Sequence, residues 1–572
     1  MHEPQAVSPS PTSPPWKFTP SRIELLCLII GLVLVYCYAW LMDDSYVYFR
    51  YVDNFVIHGK GLVWNPGEYV EGFSSPAWAA LLITLRGLHM HFWIAVWAVG
   101  LVCFGLFWWL CCVVHRGFLS EAESTAAPLN IPLIYLSCTY AVACYFTSGL
   151  EAPLVAVTAA VFAAAVLWPT QPLLQIVVGL SPLIRQELMI PFVLFMGYAW
   201  WCKRIVALVA AGTFLASVGG YTLFRIWYYA DLLPNTFYLK DMTWIKQGLL
   251  YLWDTLSPYH TLPILGVMLL LFIALKRART PNLRTQERLA LLIFALPVVL
   301  YVIKIGGDPR HFRYLAFPFI LIVLATGGLV ERALAVIPSR RTTQITLAVT
   351  LLFTVTCLSN FPRQLDHHPI FRMPLLVPNP QVNLIGDSAA HRMRSNQLTP
   401  PWHAPESPSF VALSYTDAVR RFNEESTNKR LLPTAPLGEK VPGPHMRAGQ
   451  TLGGLPITSD SWCQNGYLHQ AIPIIHNLGL TEPFLARTKM RSDRPAHKYG
   501  LRPIAHDIMR IRGRYGFGRG VFDQVLAESK NPQRWIVKNI DSLRIIENKV
   551  YNKHNFIENL RLALTPVAKI SP

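Results

Sequence analysis

The sequence predicts a mainly α fold: a polytopic transmembrane helical bundle of about eleven spans, followed by a C-terminal soluble domain of mixed α/β character. Three observations carry this. The 572 residues are 52% hydrophobic and only 15% charged, with a mean hydropathy of +0.32, a balance that fits membrane spans plus a soluble part. Apolar runs long enough to cross a hydrocarbon core recur from residue 23 to residue 359. From Asn360 those runs stop, and Pro, Arg, His and Asn become frequent.

Taken in order, residues 1–21 are rich in Pro, Ser and Thr and read as a disordered, cytoplasmic N-terminus. Residues 22–359 form the expected membrane domain, with a first outer loop at 43–92, and residues 360–572 the C-terminal domain. Ile23 to Met42 is the first span, because no small-x-small cleavage pattern follows it and the run is too long for a signal peptide. Further spans are expected near 93–114, 129–147, 151–168, 172–184, 188–202, 205–226, 258–275, 288–304, 314–331 and 343–359. The run 76–89 is short and holds Arg86, which makes it an interfacial helix rather than a span. With the N-terminus inside, His115-Arg116, Lys203-Arg204, the basic run 276–288, Arg332 and Arg340-Arg341 all fall on the inner side. Counting 76–89 as a span would put the 276–288 cluster outside, so the C-terminus is expected outside. In the C-terminal part, Val382–Ile385 and Trp535–Ile540 alternate like strands, whereas Thr416–Glu425 and Gly520–Glu528 read as helices.

The net charge of +18 is explained by inner-loop charges and an anionic lipid or lipid-phosphate partner. Nucleic acid is excluded as a partner, since no nucleic-acid motif is recognisable. Nine of the ten cysteines lie in apolar runs and read as small buried hydrophobes; Cys463 stands apart in the polar region. Neither a disulfide framework nor a metal-ligand spacing emerges.

In this topology the unusual polar residues gather on the outer side. Asp43 and Asp44 end the first span, and Glu151 follows Ser148-Gly149-Leu150. Arg185 and Glu187 join two further spans, Asn235 and Lys240 lie in LLPNTFYLK, and Arg310 and Arg313 lie in GGDPRHFR. Each has a plainer reading as a helix-end or snorkelling residue. Acids at a helix C-terminus oppose the helix dipole, however, so Asp43 and Asp44 are a poor structural choice. Acids and bases from separate loops on one face suggest the lining of one cavity. A carboxylate there can deprotonate an acceptor hydroxyl. Arg and Lys at headgroup depth suit a phosphate, and a lipid-linked phosphosugar needs both.

The motifs DDSYVYFRY, GLVWNPGE-x-VEGFSSPAW, SGLEAPL, RQE, LLPNTFYLK and GGD-x-x-x-x-R, with LGLTEPFLAR and RPAHK further on, resemble the GT-C membrane glycosyltransferases. They are most similar to the branch of the mycobacterial terminal β-(1→2) arabinofuranosyltransferases and related bacterial arabinosyltransferases, including those acting on pilin. The resemblance covers roughly residues 38–315 and 465–500. It implies a multi-pass protein of the bacterial inner membrane with a periplasmic active site and C-terminal domain. The donor would be a polyprenyl-phosphate sugar, in that branch decaprenyl-phosphoryl arabinofuranose, and the acceptor an envelope glycan or protein. Asp43 matches the general-base position with Asp44 beside it, and Glu151 matches the second acidic position. Arg185, Glu187, Asn235, Lys240, Arg310 and Arg313 would contact the donor sugar or phosphate. His497 and Lys498 would touch acceptor or donor from the soluble domain. No cofactor is required, and a divalent cation is possible but not indicated. The chain departs from the branch at His476, Glu482 and Ala496. A different sugar, such as mannose or aminoarabinose, is the nearest rival reading. A lipid flippase or transporter predicts polar residues at mid-membrane, where this sequence has few.

Overall fold

The computed structural model describes residues 16–37, 40–42, 44–119, 129–202, 204–241, 243–256, 259–281, 283–308, 312–335, 413–414, 458–460, 463, 467, 473–476, 479–489, 502–516, 518–551 and 555–571. The expected span 343–359, the segments 382–385 and 416–425, and Asp43, Arg310, His497 and Lys498 lie outside the described residues.

The first part of the chain is a succession of helices. These are α1 (Arg22–Cys37), α2 (Ser45–Val56), α3 (Pro76–Gly87), α4 (Phe92–Gly117), α5 (Ile131–Ser137), α6 (Tyr140–Tyr145), α7 (Ala152–Leu167), α8 (Pro172–Ile184), α9 (Met189–Cys202), α10 (Arg204–Phe214) and α11 (Gly220–Tyr229). They continue through α12 (Asn235–Leu239), α13 (Ile245–Leu256), α14 (Thr261–Arg277), α15 (Thr285–Ile305), α16 (Ala316–Leu324) and α17 (Leu329–Ala335). Among the described residues, four segments are long and apolar enough to cross a membrane: Ile94–Gly117, Leu208–Tyr229, Thr285–Ile305 and Arg313–Leu334. The other expected spans that are described coincide with shorter or interrupted helices. The 129–147 run breaks at Cys138 and Thr139 between α5 and α6, whereas the crossing segment Leu208–Tyr229 passes through a π-helical turn at Leu215–Gly219 that joins α10 to α11.

Two expectations change at the start of the chain. Helix α1 ends at Cys37, and Trp40–Leu41 (β1) turns extended to pair antiparallel with Leu413–Ser414 (β2). Asp44 is therefore the N-cap residue of α2, not the C-terminal end of a span. An acid is electrostatically favoured there. The 76–89 run forms α3, whose 12 residues reach about 18 Å, too short to cross the bilayer. Its Arg86 Nε pairs with Asp53 Oδ1 of α2 at 2.7 Å.

The helix ends sort into two groups. At one end, Arg116 forks onto Glu24 at 2.6 and 2.7 Å, and Asn130 Nδ2 donates to the same carboxylate at 3.0 Å. There Arg288 donates to the Gly327 carbonyl at 2.6 Å and Arg332 to that of Phe118 at 2.9 Å, satisfying carbonyls that helix ends leave open. These are residues expected on the inner side. Of the residues expected outside, Asp44, Glu151, Arg185 and Arg313 gather in a separate ionic cluster.

The loop between α2 and α3 fastens the bundle to the C-terminal part. Asn65-Pro66-Gly67-Glu68 is a tight turn, with Glu68 N–H donating to the Asn65 carbonyl at 3.1 Å and Gly67 at φ +83°. Trp64 Nε1 and Asn65 Nδ2 both donate to the Ile474 carbonyl at 3.0 Å. Tyr69 N–H donates to the Val550 carbonyl at 2.8 Å.

The C-terminal part is mostly helical where described: α18 (Pro483–Ala486), α19 (Arg502–Tyr515), α20 (Val521–Glu528), α21 (Arg534–Val550) and α22 (Phe556–Leu564). Thr458–Asp460 (β3) and Ile474–His476 (β4) pair in parallel. Gly520–Glu528 is helical as expected, but Trp535–Ile540 lies inside α21. Its buried residues Ile536, Asn539, Leu543, Ile546 and Val550 recur every three or four positions, and that longer period outweighs a short alternation. Val70 of the first loop enters the same apolar core as Phe484, Ile511, Phe522 and Leu543.

Candidate active site at one end of the bundle

The site is built from the ends of elements. Arg313 opens a short 3-10 turn (Arg313–Leu315) ahead of α16. Its Nη1 lies 2.9 Å from Asp44 Oδ2 and 3.9 Å from Asp308 Oδ2, and its Nη2 lies 3.6 Å from Glu151 Oε1. Glu151 occupies the N-cap position of α7 yet makes no capping bond. Its carboxylate accepts instead from Arg185 Nη1 at 3.0 Å. Arg185, just past α8, also pairs with Glu187. Glu151 thus stands at a helix N-terminus, as its plainer reading expects, and also belongs to a buried ion-pair network.

Three cations surround one ring. Arg185, Lys240 and Arg313 stand 4.5, 5.0 and 5.7 Å from the centre of Tyr314. Burial, reinforced by Arg185 and Arg313, pushes the Lys240 ammonium down to about 8. An anion placed beside it would remove that penalty. Among the described residues, Glu151 Oε2 and Arg313 Nε are buried without a hydrogen-bond partner. Such atoms are costly unless a ligand or water meets them.

The cleft above these residues encloses about 440 Å³, counting its open mouth. Asp44, Tyr48, Lys240, Asp308, Arg313 and Tyr314 line it. The structure therefore brings together Asp44, Glu151, Arg185, Glu187, Lys240 and Arg313. Asn235 is placed differently. Its Nδ2 donates to the carbonyls of Gly479 and Leu480 at 2.9 and 3.0 Å, and its Oδ1 accepts from Arg487 at 3.1 Å. It clamps the C-terminal part while its neighbour Thr236 faces the cleft. Asp308, Tyr48 and Tyr314 were missed by sequence reasoning. Asp308 was visible in the GGD motif, but an acid between Gly and Pro reads as a turn residue. Among the described residues no group of three His, Cys, Asp or Glu is arranged to hold a metal ion.

A second ionic cluster joins the loop to the C-terminal part. Arg512 Nη1 lies 3.0 Å from Glu68 Oε1 and 3.3 Å from Glu482 Oε2. Glu482, one of the departures noted above, also caps α18 by accepting from Phe484 N–H at 3.3 Å. His476, another departure, is buried with Nε2 3.2 Å from Cys463 Sγ, and burial pushes it down to about 4, so it is neutral.

Burial raises the Glu482 carboxyl to about 7, against the pull of Arg512 and with Glu68 adding repulsion. The unfolded chain loses this proton near the ordinary carboxylate value, so stability falls as pH rises towards about 7 and then levels off. The expected slope is at most about 1.4 kcal/mol per pH unit. Amide hydrogen exchange across 484–488, corrected for its intrinsic rate, should be faster at about pH 7.5 than at about pH 5.5, and Glu482→Gln should flatten the difference. Equal protection at both values in the native protein would count against a protonated Glu482.

Fold and site together define a polytopic membrane protein with a charged cleft where several helix ends meet. Over half its length the chain is similar to terminal β-(1→2)-arabinofuranosyltransferases. It is 30% identical over 333 residues to that of Mycobacterium tuberculosis, covering 50% of this chain and 52% of the relative. It is 28% identical over 358 residues to that of Corynebacterium glutamicum, covering 50% and 47%. The chain spans about half the length of the curated relatives it matches. No protein-family model matches it, and no solved structure is significantly similar. The branch suggested by the motifs is the branch these relatives belong to.

Proposed function

We propose that the chain is a membrane glycosyltransferase that moves D-arabinofuranose from a polyprenyl-phosphate donor to an envelope glycan or protein acceptor, on the outer face of a bacterial inner membrane. The observation that carries this reading is the convergence of Asp44, Glu151 and Asp308 with Arg185, Lys240 and Arg313 at one end of an apolar bundle. The similarity to two arabinofuranosyltransferases supports the sugar.

In this reading Asp43 takes the proton of the acceptor hydroxyl. The oxygen attacks the anomeric carbon as the bond from that carbon to the phosphate oxygen breaks, with inversion in one displacement. Asp44 pairs with Arg313 and positions that cation. The departing polyprenyl phosphate is stabilised by Arg313, Lys240 and Arg310. The C-terminal domain, residues 360–572, would hold the acceptor through groups that include His497 and Lys498.

The test is transfer from labelled polyprenyl-phosphoarabinose to cell-envelope acceptors by the purified protein, with the mannosyl donor in parallel. Transfer from the arabinosyl donor is expected; activity with the mannosyl donor alone would overturn the sugar. Asp43→Asn should reduce transfer by about 10²–10⁴-fold, and near-normal transfer would remove Asp43 as the base. Lys240→Met should raise the donor KM by roughly tenfold, the loss of one charge-assisted contact. An unchanged KM would place the phosphate elsewhere.

A further inference from the structure

The last helix has its faces inverted. In α22 the buried positions are Asn559 and Ala563, four residues apart. The large apolar residues Ile557, Leu560 and Leu564 recur at i, i+3 and i+7 along a stripe that runs from the edge of the buried face round to the exposed side. Ile557 is 77% exposed, Leu564 62% and Phe556 39%. A helix packed on a protein core and bathed in water has the reverse arrangement.

The helix is tied to a crossing segment by a hydrogen bond. Asn559 Nδ2 donates to the Trp227 carbonyl at 2.6 Å. Trp227 lies in the last turn of the crossing segment Leu208–Tyr229, and it is 55% exposed, as is Leu223 one turn earlier at 56%. An exposed tryptophan at the end of a span marks the headgroup region. The apolar face of α22 is thus continuous with a surface that already meets lipid.

We propose that α22 lies in the membrane interface at the cleft end of the bundle. Ile557, Leu560 and Leu564 enter the acyl region of that leaflet, while Glu558 and Arg561 reach its headgroups. The partner is the phospholipid bilayer itself. Glu558 and Arg561 carry opposite charges, so a zwitterionic lipid suffices and anionic lipid is not required. The contact braces the end of α21, where the Val550 carbonyl accepts from Tyr69 N–H at 2.8 Å and Tyr551 OH donates to Glu68 at 3.1 Å. Lipid therefore steadies the loop that borders the cleft.

The experiment uses the full chain in phosphatidylcholine vesicles containing phosphatidylcholine with a diazirine in its acyl chain. After irradiation, adducts are mapped by peptide. Adducts on 556–564 are expected at a level comparable with those on 223–229, and the water-facing α20 supplies the background. The double variant Ile557→Asp, Leu564→Asp should lose the α22 adducts and keep those on 223–229. Native α22 adducts no higher than those on α20 would overturn the proposal. So would cross-links through α22 to a second copy of the chain in place of lipid adducts. The native measurement decides even if the variant fails to fold.

Discussion

Arg313→Gln is expected to reduce transfer by about 10²–10³-fold, the size of losing one preorganised charge contact to a developing anion. Arg313 lies within ion-pair distance of Asp44, Glu151 and Asp308 together. Removing it leaves those buried or half-buried acids without that shared cation. Breaking a buried pair by deleting one partner costs about 3–5 kcal/mol, so the thermal transition should fall as well. Arg313→Lys separates the two effects. It restores a positive charge and most of the stability, but it cannot fork between two carboxylates. Transfer by proteoliposomes and thermal unfolding of both variants make the comparison. Near-native turnover by Arg313→Gln would show that the phosphate does not leave beside this side chain.

Gly307→Ala should be nearly as damaging, through the backbone. Gly307 sits at φ +81°, and a Cβ added there would lie 2.3 Å from Cγ of the Tyr251 ring. The left-handed conformation costs a non-glycine residue about 1–2 kcal/mol, and forced overpacking adds about 1–3 kcal/mol. Tyr251 is fully buried and its hydroxyl accepts from Tyr314 N–H at 3.3 Å, so the ring has little room to yield. Asp308 follows directly, and Arg313 comes five residues later. The expected result is a lower yield of folded protein, and reduced transfer in what does fold. Normal yield with normal transfer would mean that the GGD turn tolerates a left-handed alanine without shifting those charges.

Composition made the mainly helical, apolar character legible, and four described segments are long and apolar enough to cross a membrane. Acids and bases near the ends of apolar runs pointed to residues that meet in one cluster. The pairings themselves were not legible. Asp44 and Arg313 are 269 residues apart, and no local period reports such a distance. Asn235 looked like a donor contact because it neighbours Lys240 in a polar motif, yet a short helix turns it towards Gly479 and Arg487. Residues 535–540 alternate in sequence, but seventeen residues of helix with one buried face absorb that stretch.

The clasp between the first loop and the end of the chain also orders events in time. Glu68 and Tyr551 are separated by 483 residues. At ordinary rates of synthesis the loop would wait about 25–100 s for that partner. Throughout that interval Trp64, Asn65 and Tyr69 lack the backbone groups of Ile474 and Val550 that they finally bond. The loop beside the cleft would therefore be fastened only once residues 474–551 have been made. A chain cut short before Val550 would still carry Asp44, Glu151, Arg185, Lys240, Asp308 and Arg313. It would lack the late-made contacts that hold the loop beside them.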